Sequence, residues 1–295
     1  MLWNIALMFH LEDHYADRLK VLLVDRKIYY YGPQDLKIHP TTIGFGGTAS
    51  VYSANWKNTS TIYAIKKFVD DKEVCLTYIA NGHKNIIQFY GLTKSQDEKK
   101  YSLVLEYAEG GTLRDYLRND AITFKWENQL KFAKEIVSAI LWLHDVKEII
   151  HGDLHPKNIL IYKDTIKLAD FGRSCMKDQI TTLEHMVLGV LFWELTSRKS
   201  PFDFEKKTND DHPSIIINIL KRLREEPVEN TNDKFVILYK KCWEHEPDNR
   251  PNILQVISEL NCIDPENNNN VLTIPKETEK SEKTASVYSC QIEFK

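Results

Sequence analysis

One stretch constrains this chain more than any other: His151-Gly152-Asp153-Leu154-His155-Pro156-Lys157-Asn158-Ile159-Leu160, followed by Ile166-Lys167-Leu168-Ala169-Asp170-Phe171-Gly172. An Asp, an Asn five residues later and a second Asp twelve residues after that accompany two short apolar runs, and such runs read as strands. Asn and Asp oxygens are hard ligands suited to Mg²⁺. An Asp beside such a centre is placed to accept a proton from an alcohol nucleophile. The stretch therefore predicts two short strands that carry candidate metal ligands and a candidate base.

Two upstream features point the same way. Ile43-Gly44-Phe45-Gly46-Gly47-Thr48-Ala49-Ser50-Val51-Tyr52 is a glycine-rich turn between strand-like runs, and its N–H groups can approach phosphate oxygens. Tyr63-Ala64-Ile65-Lys66 then puts a lysine on the next strand, inward if Ala64 also faces in. A buried lysine needs an anionic partner. Glu73, on a helix predicted from Asp70 to Ala80, is one candidate, and nucleotide phosphates are another.

Composition excludes the main competing classes. The 295 residues carry 39 basic and 42 acidic side chains, a net charge of −3, without the basic excess that nucleic-acid binding by counterion release needs. No apolar run reaches about 18 residues, so no membrane span or membrane partner is expected. The five cysteines are odd in number and form no CxxC pair, which favours a reducing compartment, the cytoplasm, over a disulfide or zinc framework.

The texture changes along the chain. Residues 36–107 are strand-rich, with one helix, and residues 112–262 are mainly helical, with helices predicted over Trp126 to His144, Leu183 to Leu195, Ser214 to Arg224 and Pro251 to Leu260. The join falls near Glu106 to Gly111. Residues 1–35 form an N-terminal extension without a motif, and the polar stretch 263–295 reads as a disordered tail.

These motifs, in this order, resemble a eukaryotic-type protein kinase domain over about residues 38–262, nearest in texture to the tyrosine-kinase-like serine/threonine group. The resemblance implies an α+β, bilobal kinase fold, with a small β-rich N-lobe and a larger helical C-lobe. It implies ATP and Mg²⁺ as cofactors and a protein substrate; it leaves the oligomeric state open. Carried onto this sequence, it makes Lys66, Glu73, Asp153, Asn158 and Asp170 catalytic. Gly44 and Gly46 would cover the phosphates, and Asn158 and Asp170 would bind the metal. Ile43, Val51, Ala64 and Leu160 would enclose the adenine, with Leu105 as gatekeeper and Glu106 and Ala108 as hinge residues.

The chain departs from the family pattern at several positions. Ala49 stands where the third glycine of the loop is usual, Gly152 where the catalytic loop usually has arginine, and His155 where serine/threonine kinases usually have lysine. Eleven residues, 173 to 183, separate Gly172 from Glu184, which resembles the start of the long central helix. That leaves little chain for an activation segment, and the Ala-Pro-Glu motif, whose glutamate would normally pair with Arg250, is missing. The leading expectation is a protein kinase. The alternatives are a nucleotide-binding pseudokinase acting as scaffold or allosteric partner, and a truncated gene product lacking the activation segment.

Overall fold

The computed structural model describes residues 14–45, 49–57, 59–177, 182–208, 215, 217–219 and 221–265. The loop residues Gly46 and Gly47, Thr181, most of the proposed tail and the first thirteen residues lie outside them.

The strand-rich half forms one antiparallel sheet of order β1-β2-β3-β5-β4. Its strands are β1 (Leu36–Phe45), β2 (Ser50–Trp56), β3 (Ile62–Val69), β4 (Phe89–Thr93) and β5 (Tyr101–Glu106). Helix α2 (Asp71–Ala80) crosses between β3 and β4, and the Asp70 carboxylate caps it by accepting from the Glu73 N–H. A helix over 14–24, α1, precedes the sheet. It is built into the lobe: Leu19 is 2% exposed and joins the same apolar cluster as Val74 and Leu76 of α2. The Cys75 thiol donates to the Tyr15 carbonyl at 3.6 Å. Beyond α1, Tyr29 and Tyr31 exchange backbone hydrogen bonds with Leu92, so the chain continues the sheet past β4 before β1 begins.

The second half is helical around two short two-stranded sheets. It contains α3 (Leu113–Arg118), α4 (Trp126–Leu141), α5 (Thr182–Ser197), α6 (Asp233–Cys242) and α7 (Ile253–Asn261). Helix α4 runs on into one π-helical turn, Trp142–Val146, matching the length expected from the apolar spacing. Of the stretch predicted helical over 214–224, residues 215 and 217–219 are helical, and the chain turns at 221–222. Helix α5 packs on α6 through Gly189, where a Cβ would lie 2.8 Å from the Tyr239 carbonyl oxygen and the Trp243 nitrogen. No side chain larger than hydrogen fits that approach.

Strands β6 (Ile149–Ile150) and β9 (Cys175–Met176) pair antiparallel, as do β7 (Ile159–Tyr162) and β8 (Thr165–Leu168). The hairpin β7–β8 also ties the two halves together. Asn85, fully buried, donates through Nδ2 to the Ile166 carbonyl at 3.0 Å, and Ile87 N–H donates to Leu168 O at 2.9 Å. The two lobes are thus joined at the strand that leads into Asp170.

Candidate active site

Lys66 projects from β3 and is buried. Its Nζ lies 2.6 Å from Glu73 Oε1 on α2 and 2.9 Å from Asp170 Oδ1 beyond β8. Burial works to lower the lysine pKa, but the two carboxylates outweigh it and the net shift is upward, so the ammonium is held. Burial likewise works to raise the Asp170 pKa, but Lys66 and the Gly172 N–H prevail and the net shift is downward. Two neighbouring elements and a third about a hundred residues further on therefore meet at one nitrogen.

The loop between β6 and β7 supplies the rest. Asn158 Nδ2 donates to the Asp153 carbonyl at 2.8 Å and to its Oδ2 at 3.3 Å. Two basic side chains flank the Asp153 carboxylate, Arg173 Nη1 at 3.5 Å from Oδ1 and His155 Nε2 at 3.7 Å from Oδ2. Asp170 has φ 69, a left-handed conformation that Asp adopts more readily than most residues. It is steadied by Gly172 N–H donating to Oδ1 at 3.2 Å.

His151 is a structural ring. It is fully buried, Nε2–H donates to Ala169 O at 3.0 Å, and Nδ1 accepts from Asp153 N–H at 3.3 Å. Those partners fix the neutral tautomer, and burial lowers its pKa below the ordinary 6.5. Ser174, just beyond Gly172, is also fully buried and donates to His151 O at 2.8 Å. Its hydroxyl is spent inside the fold.

The expected nucleotide-lining residues divide. Ala64 and Leu105 are paired in register across β3 and β5, and both are buried. Val51, Ala108 and Leu160 pack against the same apolar cluster. Ile43 sits at an irregularity of β1 and is exposed, and Gly44 pairs with Val51 at the loop end of the β1–β2 hairpin. Gly46 lies outside the described residues. Glu106 has a role the sequence did not announce: its Oε2 is 2.9 Å from the buried Lys167 ammonium.

Two further residues escaped the sequence reading. Glu184, at the head of α5, accepts from Gly152 N–H at 3.0 Å and from His144 Nε2 at 2.6 Å, so the long helix holds the loop carrying Asp153. Lys167 carried a usable signal, since a lysine between Ile166 and Leu168 in a buried strand requires an anion. Arg250 donates to the carbonyls of Glu244 and His245 at 2.8 and 2.7 Å.

The residues fit a divalent cation by the chemistry of the donor set. Asn158 Oδ1 and Asp170 Oδ2 are hard oxygens without a partner among the described residues, and phosphate oxygens would complete such a shell. No group of three His, Cys, Asp or Glu side chains suited to a metal occurs among the described residues.

Comparison with known proteins agrees with this geometry. The protein kinase domain model matches residues 39–188. A putative serine/threonine-protein kinase/receptor of Acanthamoeba polyphaga mimivirus is 28% identical over 251 residues, covering 73% of this chain and 14% of that protein. An RGS domain-containing serine/threonine-protein kinase of Dictyostelium discoideum is 26% identical, covering 87% and 25%. A mitogen-activated protein kinase kinase kinase of Caenorhabditis elegans is 30% identical, covering 75% and 34%. The chain belongs to the protein kinase family. It spans a minor part of the length of these relatives.

Proposed function

We propose that the chain transfers the γ-phosphoryl group of ATP to a serine or threonine hydroxyl of a protein, using one kinase domain over 36–262. The observation that carries this reading is Lys66, held between Glu73 and Asp170 at 2.6 and 2.9 Å. In that position its ammonium is oriented to bind the α- and β-phosphates. Asp153 orients the acceptor hydroxyl and takes its proton, and the Asn158 amide fixes the carboxylate for that task. Val51, Ala64, Leu105, Ala108 and Leu160 offer an apolar bed for adenine. Asn158 and Asp170 would hold Mg²⁺, which supplies charge neutralisation between the phosphates. The scattered cysteines suit a reducing compartment, and we place the chain in the cytoplasm. Among the described residues no helix is long and apolar enough to cross a membrane.

The test is transfer of labelled phosphate from Mg·ATP to a generic basic protein. Asp153→Asn should lower the rate by at least about 100-fold with the fold retained. Equal rates in both proteins would refute the assignment. A nucleotide-binding pseudokinase is the second reading, favoured by the eleven residues between Gly172 and Glu184. It predicts binding of Mg·ATP with no transfer.

A further inference from the structure

Gly152 and the chain after Gly172 fit one another. Gly152 has φ +74, and a Cβ built on it would stand 2.5 Å from the Arg173 carbonyl oxygen, inside any tolerable contact. The neighbouring backbone cannot easily retreat. Ser174 Oγ donates to His151 O at 2.8 Å, Ile150 pairs with Cys175, and Lys177 N–H donates to Glu148 O at 2.8 Å. From the other side, Glu184 holds Gly152 N–H at 3.0 Å. The loop carrying Asp153 is thus pressed between α5 and the strand that follows Asp170.

This packing brings the Arg173 guanidinium to 3.5 Å from Asp153 Oδ1, with its side chain 77% exposed on the open side of the loop. Lys66 is committed to Glu73 and Asp170, and Lys157 and His155 are the other basic groups of the loop. His155 Nε2 lies on the opposite carboxylate oxygen, at 3.7 Å.

We propose that Arg173 is the cation that meets the transferring phosphoryl group beside Asp153, and that Gly152 is the positioning residue whose missing side chain lets the backbone carry Arg173 there. The proposal rests on the phosphotransfer reading above. In the step it serves, the acceptor oxygen bonds to the γ-phosphorus while the bond to the β,γ-bridging oxygen breaks. The electron pair leaves with ADP, and the hydroxyl proton passes to the Asp153 carboxylate. Charge spreads over the three equatorial γ-oxygens as this happens, and a planar guanidinium can bind two of them at once. The same group, resting on Asp153 before nucleotide binds, would exchange that contact for the phosphate.

The experiment uses the full chain in two measurements. The first is equilibrium binding of ADP and of the β,γ-imido analogue of ATP, with Mg²⁺, to the wild type, Arg173→Gln and Arg173→Lys. Arg173→Gln should reduce the preference for the analogue over ADP by about tenfold with ADP affinity unchanged, and Arg173→Lys should restore part of it. Equal weakening of both nucleotides, or no change in either, overturns the assignment of Arg173. The second is the rate of transfer, which Arg173→Gln should lower by about 100-fold in kcat. A rate that is unchanged or raised overturns it, a raised rate marking Arg173 as a clamp on Asp153. Gly152→Ala should lose the same factors as Arg173→Gln, and the double variant should lose no more than either. Additive losses overturn the coupling of the two residues, and if Gly152→Ala does not fold, the Arg173 variants still decide the cation's role. A wild type that binds nucleotide without transferring phosphate refutes the kinase reading, while the affinity ratio still decides Arg173. A wild type that binds no nucleotide refutes both.

Discussion

Removing Lys66 does more than delete a phosphate ligand. Its Nζ separates two carboxylates, so Lys66→Met leaves Glu73 and Asp170 facing each other without a counter-charge in a largely buried site. Breaking a buried pair from one side costs about 3–5 kcal/mol. The loss should shrink when Glu73→Gln is added, giving a coupling energy of about 1–3 kcal/mol in a double-mutant cycle read by urea unfolding. Additive losses would mean the pair contributes nothing jointly. His151 offers a second check at this scale. Its folded pKa lies below the ordinary 6.5, so the unfolded chain takes up this proton first. The ring therefore contributes stability fully above about pH 6.5 and loses it as pH falls through the range below. An imidazole NMR titration, with the resonance assigned by its loss in His151→Gln, should show a midpoint under 6.5. A midpoint above it would contradict the neutral ring. Lys66, Asp153, Asn158 and Asp170 could be picked out in the sequence because their chemistry is tied to short, ordered spacings. Glu184 could not, because its partners lie on other elements, and the sequence around Lys167 calls for an anion without saying which one.

Among the elements, α1 and α2 were unevenly readable. The capping Asp70 and the apolar run of α2 predict that helix almost to its ends. Helix α1 has no motif, yet it buries Leu19 in the apolar cluster that also holds Val74 and Leu76 and accepts a hydrogen bond from Cys75, all on the helix that presents Glu73 to Lys66. The packing partner is more than fifty residues away, which no local pattern reveals. Leu19→Ala should cost about 2–4 kcal/mol in equilibrium unfolding, the usual loss for a leucine truncated in a close-packed core. A change under about 0.5 kcal/mol would mean that α1 merely rests on the surface. Helix α5 shows the same division: its apolar centre announces a buried helix, while the grip of Glu184 on Gly152 belongs to the assembled lobe.

At the scale of the whole molecule, a ligand that bridges the two lobes should stabilise them together. Mg·ATP at 100 times its Kd should add about 2.7 kcal/mol to the unfolding free energy and raise Tm accordingly. Asp170→Asn should abolish most of the Mg²⁺-dependent part of that rise, and a rise that is insensitive to Mg²⁺ would overturn the metal assignment. The order of motifs, the two textures and the charge balance were decided by the amino-acid sequence, because backbone periodicity and motif spacing are local properties. Tertiary structure alone decided which side chains meet. Only there do Lys66, Glu73 and Asp170 converge, does α1 join the core, and does Gly152 lie under Arg173, because each of these depends on contacts between segments that the folded backbone brings together.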